Sequence, residues 1–445
     1  MKPKYERPII VRHSLAGMNK FGATPAVRPI TLIDGVRISE LVEAYGSPLF
    51  VFSERNLRER VRELRAQVAR RLPSFDLAWS YKTNYLGAIC KLFHQEGSLA
   101  EVVSGMELKL ALAAGVAGRQ IIFNGPYKTE ADMTLAFTKE VRVHLDHLDE
   151  LALAEKVADQ LGVVPEVGMR VNLAELPVPT WDRFGFNLES GRALEAARRI
   201  VRGGRLDLRT IHCHIGTFIA NPEAYRLAAR ALATFSLALE RDTGIRIDTI
   251  DLGGGFASHN TLYAQYLPGS EATPALGEFV EAIAGGLEDG MNGAEPPRLI
   301  LETGRALVDE AGYLVATVVG NKRLLDKRRA VILDGGVNIL PTAWWYKHEI
   351  HPAQELFGTA EPTVFFGPLC MNIDVIRDQI LFQPLRIGDR VVLRHVGAYN
   401  VTQWMQFITE RPNVVMVSSK GKHGLIRKAE TVETLTQQEV VPDWL

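Results

Sequence analysis

The sequence predicts an α/β protein in which a (β/α)8 TIM-like barrel is joined to an antiparallel β domain. Three observations predict this class. The chain has 445 residues, more than one domain usually holds. Eight short apolar segments alternate with amphipathic helical segments, which is typical of parallel strands covered on both faces. Beyond residue 311, β-rich segments follow one another with little helix between them.

The first 46 residues form an N-terminal segment that we expect to pack with the β domain. A hairpin-like feature at residues 30–35 precedes a short helix at 39–45, which ends at a Gly-Ser-Pro sequence. Residues 48–52 then have the character of a strand. Ser53 is a suitable N-cap for a helix that extends to about Leu72.

The barrel is expected to span residues 47–310 and the β domain residues 311–445. Eight strand–helix units favour a closed barrel over an open doubly wound sheet. The barrel strand candidates are 77–81, 99–103, 120–124, 141–146, 167–172, 208–214, 247–252 and 299–302. Helical segments separate most of them, for example at 105–114, 149–161, 222–240 and 276–287. In the β domain the strand candidates are 315–319, 330–333, 364–366, 390–393 and 414–417.

Composition excludes several classes of function. The net charge of -1 provides no electrostatic basis for binding nucleic acid or an anionic membrane. No apolar run approaches the roughly 18 residues of a membrane span. Cys90, Cys213 and Cys370 are widely spaced, so they indicate neither a disulfide framework nor a zinc knuckle. We therefore expect a cytoplasmic protein that binds neither nucleic acid nor a membrane.

Chemically distinctive residues follow the predicted barrel strands. Active sites of such barrels lie at the carboxyl ends of the strands, so these residues are expected to meet in one site. A lysine directly after the first strand could carry a cofactor aldehyde. The residues at strand ends are Lys82, Arg170, His214, Gly253 to Gly255, Glu302 and Arg305.

The run Gly253-Gly254-Gly255 has two interpretations. Without side chains, the backbone can approach an anion closely, and Arg305 would complete a phosphate site. Alternatively, the three glycines form only a tight turn between a strand and a loop. The sequence leaves both possibilities open.

Glu302 and His214 also have two interpretations each. Glu302 could form a surface ion pair with Arg305, or it could keep a heterocyclic nitrogen protonated as part of an electron sink. His214 could be structural, or its flat ring could stack on a cofactor. His212 and His214 point to the same side of a strand, but no third ligand lies at a predictable position, so no metal site is predicted.

Cys370 lies in a Gly-Pro-containing segment of the β domain, close to Asp374. A buried, inert cysteine is the usual case. The turn that precedes it instead favours an exposed functional loop.

Together these motifs resemble the fold type III pyridoxal-phosphate decarboxylases, the family of the ornithine, diaminopimelate and arginine decarboxylases. The resemblance extends from about Tyr45 to Phe407 and implies an alanine-racemase-like fold. The motifs that carry it occur in family order: Tyr81-Lys82-Thr83-Asn84, Val103-Ser104-Gly105-Met106-Glu107-Leu108, His214-Ile215-Gly216-Thr217, Gly253-Gly254-Gly255-Phe256, Glu302-Thr303-Gly304-Arg305, Gly367-Pro368-Leu369-Cys370 and Gly397-Ala398-Tyr399.

The resemblance implies a role for each residue of the site. Lys82 would hold pyridoxal 5'-phosphate covalently, His214 would stack on its ring and Glu302 would pair with its ring nitrogen. Cys370 would enter from the partner subunit of a homodimer and protonate the carbanion that remains after CO2 leaves. The other cofactor-binding residues would be Gly216, Thr217, Gly253, Gly254, Gly255, Arg305 and Tyr399, and the substrate would meet Met371, Asp374 and Arg170.

Three positions depart from the family pattern. Diamine-forming members have an acidic residue directly after the loop cysteine, where this chain has Met371. Diaminopimelate enzymes have an Arg-Pro pair where this chain has Leu340-Pro341, and Glu101 stands where Asp is commoner. A buried charged group of the substrate would lack its partner here. We therefore expect an α-decarboxylase of neither simple ornithine nor diaminopimelate, but of an amino acid with a large, amide-linked or carrier-bound side-chain end, as in secondary-metabolite biosynthesis.

Two other functions fit the same fold. An amino-acid racemase or epimerase would place Arg at the ring nitrogen, and Glu302 argues against it. A non-catalytic regulatory homologue would have lost site residues, whereas Lys82, Glu302 and Cys370 are all present.

Overall fold

The structure, a computed structural model, describes residues 27–445; the predictions for residues 1–26 lie outside the described residues. The described chain begins with a two-stranded hairpin and two helices around one strand. Ser53 accepts a hydrogen bond from the Asn56 backbone at 3.0 Å, which confirms the predicted N-cap. These elements are β1 (Leu32–Ile33), β2 (Val36–Arg37), α1 (Ile38–Tyr45), β3 (Leu49–Ser53) and α2 (Glu54–Arg71).

The next elements form a closed parallel barrel, which confirms the predicted fold class. Each predicted barrel strand overlaps one of the eight that close the barrel, in the order β4-β5-β6-β7-β8-β10-β11-β12 and back to β4. In chain order the elements are β4 (Phe75–Ser80), α3 (Gly87–Gln95), β5 (Leu99–Val102), α4 (Gly105–Ala113), β6 (Ile121–Phe123), α5 (Glu130–Thr138), β7 (Arg142–Leu145), α6 (Leu148–Leu161), β8 (Glu166–Asn172), β9 (Phe186–Asn187), α7 (Arg192–Gly203), β10 (Asp207–His212), α8 (Pro222–Thr243), β11 (Thr249–Asp251), α9 (Gly269–Ala272), α10 (Leu276–Met291), β12 (Arg298–Leu301) and α11 (Arg305–Val308).

A second, mostly antiparallel sheet follows the barrel. Its main path is β17-β16-β14-β13-β3-β19-β20, and β18 joins β13 to β15. The five strands predicted here are present, while β15, β17 and β20 were not predicted. The elements are β13 (Gly312–Arg323), β14 (Arg329–Leu333), β15 (Ile350–Pro352), β16 (Glu361–Phe366), β17 (Val375–Phe382), β18 (Arg390–Arg394), β19 (Val414–Val417), β20 (His423–Arg427) and α12 (Val432–Thr436).

Strand β3 corrects one part of the expected domain division. Residues 47–310 were assigned to the barrel, but β3 pairs with β13 and β19 in the second sheet. All five of its residues are buried, because sheet neighbours flank it on both sides. The chain therefore contributes one strand to the β domain before it enters the barrel.

The start of the described chain packs on the β domain. Ile38 and Leu41 of α1 share an apolar cluster with Val315 of β13 and Val415 of β19. Burial of such side chains stabilises the contact, since each is worth about 1.5–3 kcal/mol. Among residues 27–445, every helix is too short or too polar to cross a lipid bilayer.

Candidate active site

A cavity of about 720 Å³ opens at the carboxyl ends of the barrel strands. This volume is within the range of small-molecule sites, and the position is where barrels of this kind carry their active sites. The predicted residues Lys82, Arg170, His214, Thr217, Glu302, Arg305 and Tyr399 all line it.

Lys82 follows β4 in a short turn and pairs with a carboxylate of the neighbouring strand. Its Nζ lies 2.7 and 2.9 Å from the two carboxylate oxygens of Glu101, which is fully buried in β5. A third of the Lys82 side chain, 33%, is accessible from the cavity. Burial lowers the pKa of Lys82, but the charges of Glu101 and Glu302 outweigh this effect and raise it. The amine is therefore a cation that Glu101 holds in place at the cavity wall.

Glu302 follows β12 and is 3% exposed, so the interpretation as a surface ion pair is wrong. Asn124 donates a hydrogen bond to its Oε1, and Nε2 of His212 lies 3.5 Å from its Oε2. Burial is the main cause that raises the pKa of Glu302, and the charge of Lys82 opposes it. A carboxylate held this rigidly in a cavity suits a fixed cationic partner such as a protonated ring nitrogen.

Arg305 is a buried cation whose guanidinium has no carboxylate partner in the described part of the chain. Its Nε and Nη1 have no hydrogen-bond partner among the described residues, and Nη2 is 3.5 Å from Thr217 Oγ1. The guanidinium lies over the Tyr399 ring at 4.7 Å and the Tyr346 ring at 5.3 Å. Buried polar groups are nearly always paired, so these donors fit an anionic group such as a phosphate.

Side chains at Gly253 and Gly254 would clash with neighbouring atoms, so these positions require glycine. Gly253 and Gly255 have positive φ angles of 62° and 95°. A Cβ on Gly253 would lie 2.6 Å from His214 Nδ1, and one on Gly254 2.2 Å from the Glu302 carbonyl oxygen. Two of the three N–H groups have partners already, since Gly253 donates to Asp251 and Gly254 to His214. The N–H of Gly255 makes no hydrogen bond to a described residue and can meet an anion.

His214 lies on the cavity wall with its ring 5.5 Å from that of Trp181. Because its Nδ1 accepts the Gly254 N–H at 3.1 Å, the ring hydrogen is on Nε2. Burial, aided by the charges of Lys82 and Arg170, keeps the pKa of His214 well below its usual value. A neutral, flat imidazole held in this way is suited to lie against an aromatic cofactor ring.

Arg170, predicted to meet the substrate, is 7% exposed on the cavity wall. Its guanidinium lies 4.5 Å from the Phe184 ring, and its Nε is 3.9 Å from the Asp146 carboxylate. This ion pair is too long to be a hydrogen bond, so the guanidinium can still bind an anionic atom in the cavity.

The loop that carries Cys370, Met371 and Asp374 does not line the cavity of the single chain. Cys370 is exposed, so the interpretation as a buried, inert cysteine is wrong. The Asp374 carboxylate is buried and accepts the backbone N–H groups of Val337 and Leu369, each at 2.8 Å. With both oxygens engaged, Asp374 shapes the loop, and the structure does not bring it to the predicted substrate position.

Several residues of the site were not predicted. The segment between β8 and β9 brings Trp181, Arg183 and Phe184 to the cavity, and Trp345 comes from the β domain. In the sequence, only the tryptophan within the proline-rich connection between these strands could have indicated that the segment reaches the site. One side-chain nitrogen or oxygen atom of each of His144, His212 and Glu302 lies within 4.8 Å of those of the other two. His144 and Glu302 are distant from His212 in the chain, so the sequence did not predict that they lie beside it.

Comparisons with known proteins agree with this site. Residues 56–309 match the family model described as "Pyridoxal-dependent decarboxylase, pyridoxal binding domain". The chain is 32% identical to a diaminopimelate decarboxylase of Actinosynnema pretiosum, with 92% of each chain covered. It is 29% identical to that of Methanocaldococcus jannaschii, over 93% of this chain and 95% of the relative.

The likeness extends to solved structures. The crystal structure of the M. jannaschii diaminopimelate decarboxylase with L-lysine has a TM-score of 0.85 at 28% identity and covers 93% of this chain and 96% of its own. The family model covers more than half of the chain, and the cavity presents a lysine, a carboxylate and an unpaired arginine that fit the aldehyde, ring nitrogen and phosphate of the cofactor. The chain belongs to the pyridoxal-dependent decarboxylases and is a pyridoxal-phosphate-dependent amino-acid decarboxylase of the alanine-racemase-like fold.

Proposed function

We propose that this decarboxylase removes the α-carboxylate of an amino acid whose side-chain end carries no free terminal ammonium group. The observation that carries this proposal is Met371, an uncharged residue directly after Cys370. Leu340 supports it, because its side chain is fully buried in the β domain and offers no cation to a distal carboxylate.

The chain's own residues divide the work in this proposal. Pyridoxal phosphate, when bound, withdraws electrons from the α-carbon as CO2 leaves. Lys82 would hold the cofactor through its amine, and Glu302 would keep a proton on the ring nitrogen. His214 would stack on the ring, and Arg305 would bind the phosphate. Cys370 then delivers a proton to the α-carbon.

The cavity walls suit a large side-chain end. Trp181, Phe184 and Trp345 present aromatic surface, and Arg183 makes no ion pair with a described residue. Aromatic rings bury large apolar groups, and an unpaired guanidinium attracts carbonyl or carboxylate oxygens. An amide-linked or carrier-bound amino acid presents both kinds of group. Such substrates occur among precursors of secondary metabolites.

Diaminopimelate is the second candidate substrate. Relatives that are 27–32% identical over most of the chain are named diaminopimelate decarboxylases. Met371 argues against it, since a site without an acidic partner for the distal ammonium group would reject that substrate strongly. Leu340 offers no cation to the distal carboxylate, although Arg183 of the cavity could pair with that group.

A substrate panel separates the two candidates. Purified enzyme is given diaminopimelate, ornithine, lysine, arginine and Nε-acylated or Nδ-acylated amino acids, and CO2 release is measured. We expect kcat/KM for the best acylated substrate to exceed that for diaminopimelate by at least about 100-fold. Met371→Glu should reduce this preference. A wild-type enzyme that prefers diaminopimelate would refute the proposal.

We propose further that a second copy of the chain completes the site with Cys370. Cys370 lies outside the cavity of its own chain. Trp345 of the cavity wall, its neighbour Trp344 and Ile373 of the Cys370 loop are exposed apolar residues, and Trp344 donates a hydrogen bond to the Ile373 carbonyl oxygen. Exposed apolar side chains of this kind suit an interface. A two-fold dimer would bring each loop to the partner's cavity, because the same surface serves both copies.

Mixing two inactive variants tests the shared site. Lys82→Ala and Cys370→Ala are each expected to lack decarboxylation. When equal amounts of the two variants are mixed, unfolded and refolded together, about a quarter of wild-type activity should return. Half of the dimers then contain both variants, and each of these has one native site of two. The Lys82→Ala, Cys370→Ala double variant mixed with wild type is the matched control. No recovery in a mixture shown to contain mixed dimers would contradict the shared site.

A cytoplasmic location remains a prediction from cysteine usage, which cell fractionation tests.

A further inference from the structure

Two buried carboxyl groups, those of Asp251 and Glu302, lie close to each other at the ends of neighbouring barrel strands. They are 0% and 3% exposed. Asp251 ends β11 and Glu302 follows β12, and these strands are parallel neighbours with Asp251 opposite Ile300. Glu302 lies two residues beyond Ile300, so its side chain points to the same side of the sheet as those of Ile300 and Asp251. The two carboxyl groups are close enough to interact electrostatically.

The two oxygens of Asp251 differ in their surroundings. Oδ1 accepts the backbone N–H of Gly253 at 2.9 Å. Oδ2 is buried and receives no hydrogen bond from an N–H or O–H group of the described residues. An ionised oxygen in such a place would be an unpaired acceptor, which is costly. A protonated Oδ2 has a hydrogen to donate, and Glu302 is its acceptor.

Two carboxyl groups in contact and out of water do not both ionise. The surroundings decide which of them keeps the proton. Burial raises the pKa of both groups. The negative charge of Glu302 raises the pKa of Asp251 further, whereas the charges of Lys82 and Arg170 and the hydrogen bond from Asn124 oppose the rise at Glu302. The negative charge therefore belongs on Glu302.

His212 is a second buried neighbour of Glu302, with its Nε2 3.5 Å from the Glu302 Oε2. Its ring packs 5.0 Å from that of His144, and burial keeps both imidazoles neutral by lowering their pKa values well below the usual range. The space for His144 exists because Gly168 has no side chain, since a Cβ there would lie 2.2 Å from His144 Cδ2. Neighbours thus surround the Glu302 carboxylate on several sides.

We propose that Asp251 is a positioning residue: as a neutral carboxylic acid it donates a hydrogen bond from Oδ2 to Glu302. The pair then carries one negative charge, located on the group that meets the cofactor's ring nitrogen. Asp251 does not line the cavity and acts only through Glu302. The inference depends on cofactor binding at this site and is independent of the substrate.

Two substitutions of similar size test this role. Asp251→Asn retains a donor toward Glu302, whereas Asp251→Leu removes it. In the Asn variant we expect the dissociation constant of pyridoxal phosphate to remain within about threefold of wild type, with the long-wavelength absorption band unmoved. In the Leu variant the dissociation constant should rise on the order of tenfold or more and the band should shift, because a charge-assisted hydrogen bond is lost.

Two further measurements do not depend on the Leu variant. The infrared spectrum of the wild-type holoenzyme should contain a protonated-carboxyl C=O band that disappears in Asp251→Asn. The melting temperature of each variant distinguishes a loss of fold from a change at the ring nitrogen. The proposal is overturned if Asn and Leu weaken cofactor binding equally, if the infrared band is absent, or if purified holoenzyme holds one equivalent of a transition metal, with Glu302 as a ligand beside His144 and His212.

Discussion

Replacing Lys82 with alanine is expected to lower the rate of decarboxylation by on the order of 10³-fold or more. The reason is that no other amine lines the cavity among the described residues, so the cofactor loses its covalent attachment. The measurement combines CO2 release with absorption spectroscopy of the purified protein. Borohydride reduction of the wild-type holoenzyme followed by peptide mass spectrometry should find the cofactor on the peptide that contains Lys82.

Lys91→Ala is the matched control for this substitution. Lys91 is exposed on α3, nine residues from Lys82, and should have wild-type activity and absorption. If Lys82→Ala retains the cofactor absorption band and its activity, or if the reduced cofactor is found on another lysine, the assignment of Lys82 is wrong.

Replacing Glu302 with glutamine has the second largest expected effect, a fall in kcat on the order of 10²–10³-fold. Glutamine retains the size of the side chain and an oxygen that can accept from Asn124, but it removes the negative charge. The ring nitrogen then loses the partner that holds its proton, and the electron sink weakens. Cofactor binding should persist, since Arg305 and Lys82 are unchanged.

Kinetics and cofactor content must be measured together for Glu302→Gln. We expect a low kcat at nearly full cofactor occupancy, and the absorption band should shift because the ring is no longer protonated. Glu295→Gln changes an exposed carboxylate in the loop before β12 and serves as the control. An unaltered kcat in Glu302→Gln would show that the charge at the ring nitrogen is not needed for the reaction.

Local sequence was sufficient to predict the barrel and those cavity-lining side chains that directly follow its strands. Each strand is a short apolar run, and Lys82, His214 and Glu302 follow such runs directly. Parallel strands of one barrel end at the same rim, so residues at their carboxyl ends must converge. That is why the positions of Lys82, Glu302 and Arg305 could be predicted without coordinates.

Contacts between distant segments could not be predicted in this way. The placement of β3 in the second sheet depends on its pairing with β13 and β19, which its own residues do not encode. The burial of Asp374 against two backbone N–H groups depends on the path of its loop. Trp181 reaches the cavity only because the connection between β8 and β9 folds over it.

The sequence by itself identified the residues proposed to carry the chemistry of this protein, because Lys82, Glu302 and Arg305 each follow a recognisable strand. The tertiary structure alone decided what surrounds those groups. It showed that Lys82 is paired with Glu101, that Arg305 is buried with no carboxylate partner within residues 27–445, and that Glu302 and Asp251 lie at the ends of neighbouring strands. The physical reason is that charge and proton position depend on burial and on neighbours distant in the chain, and only the folded structure brings these together.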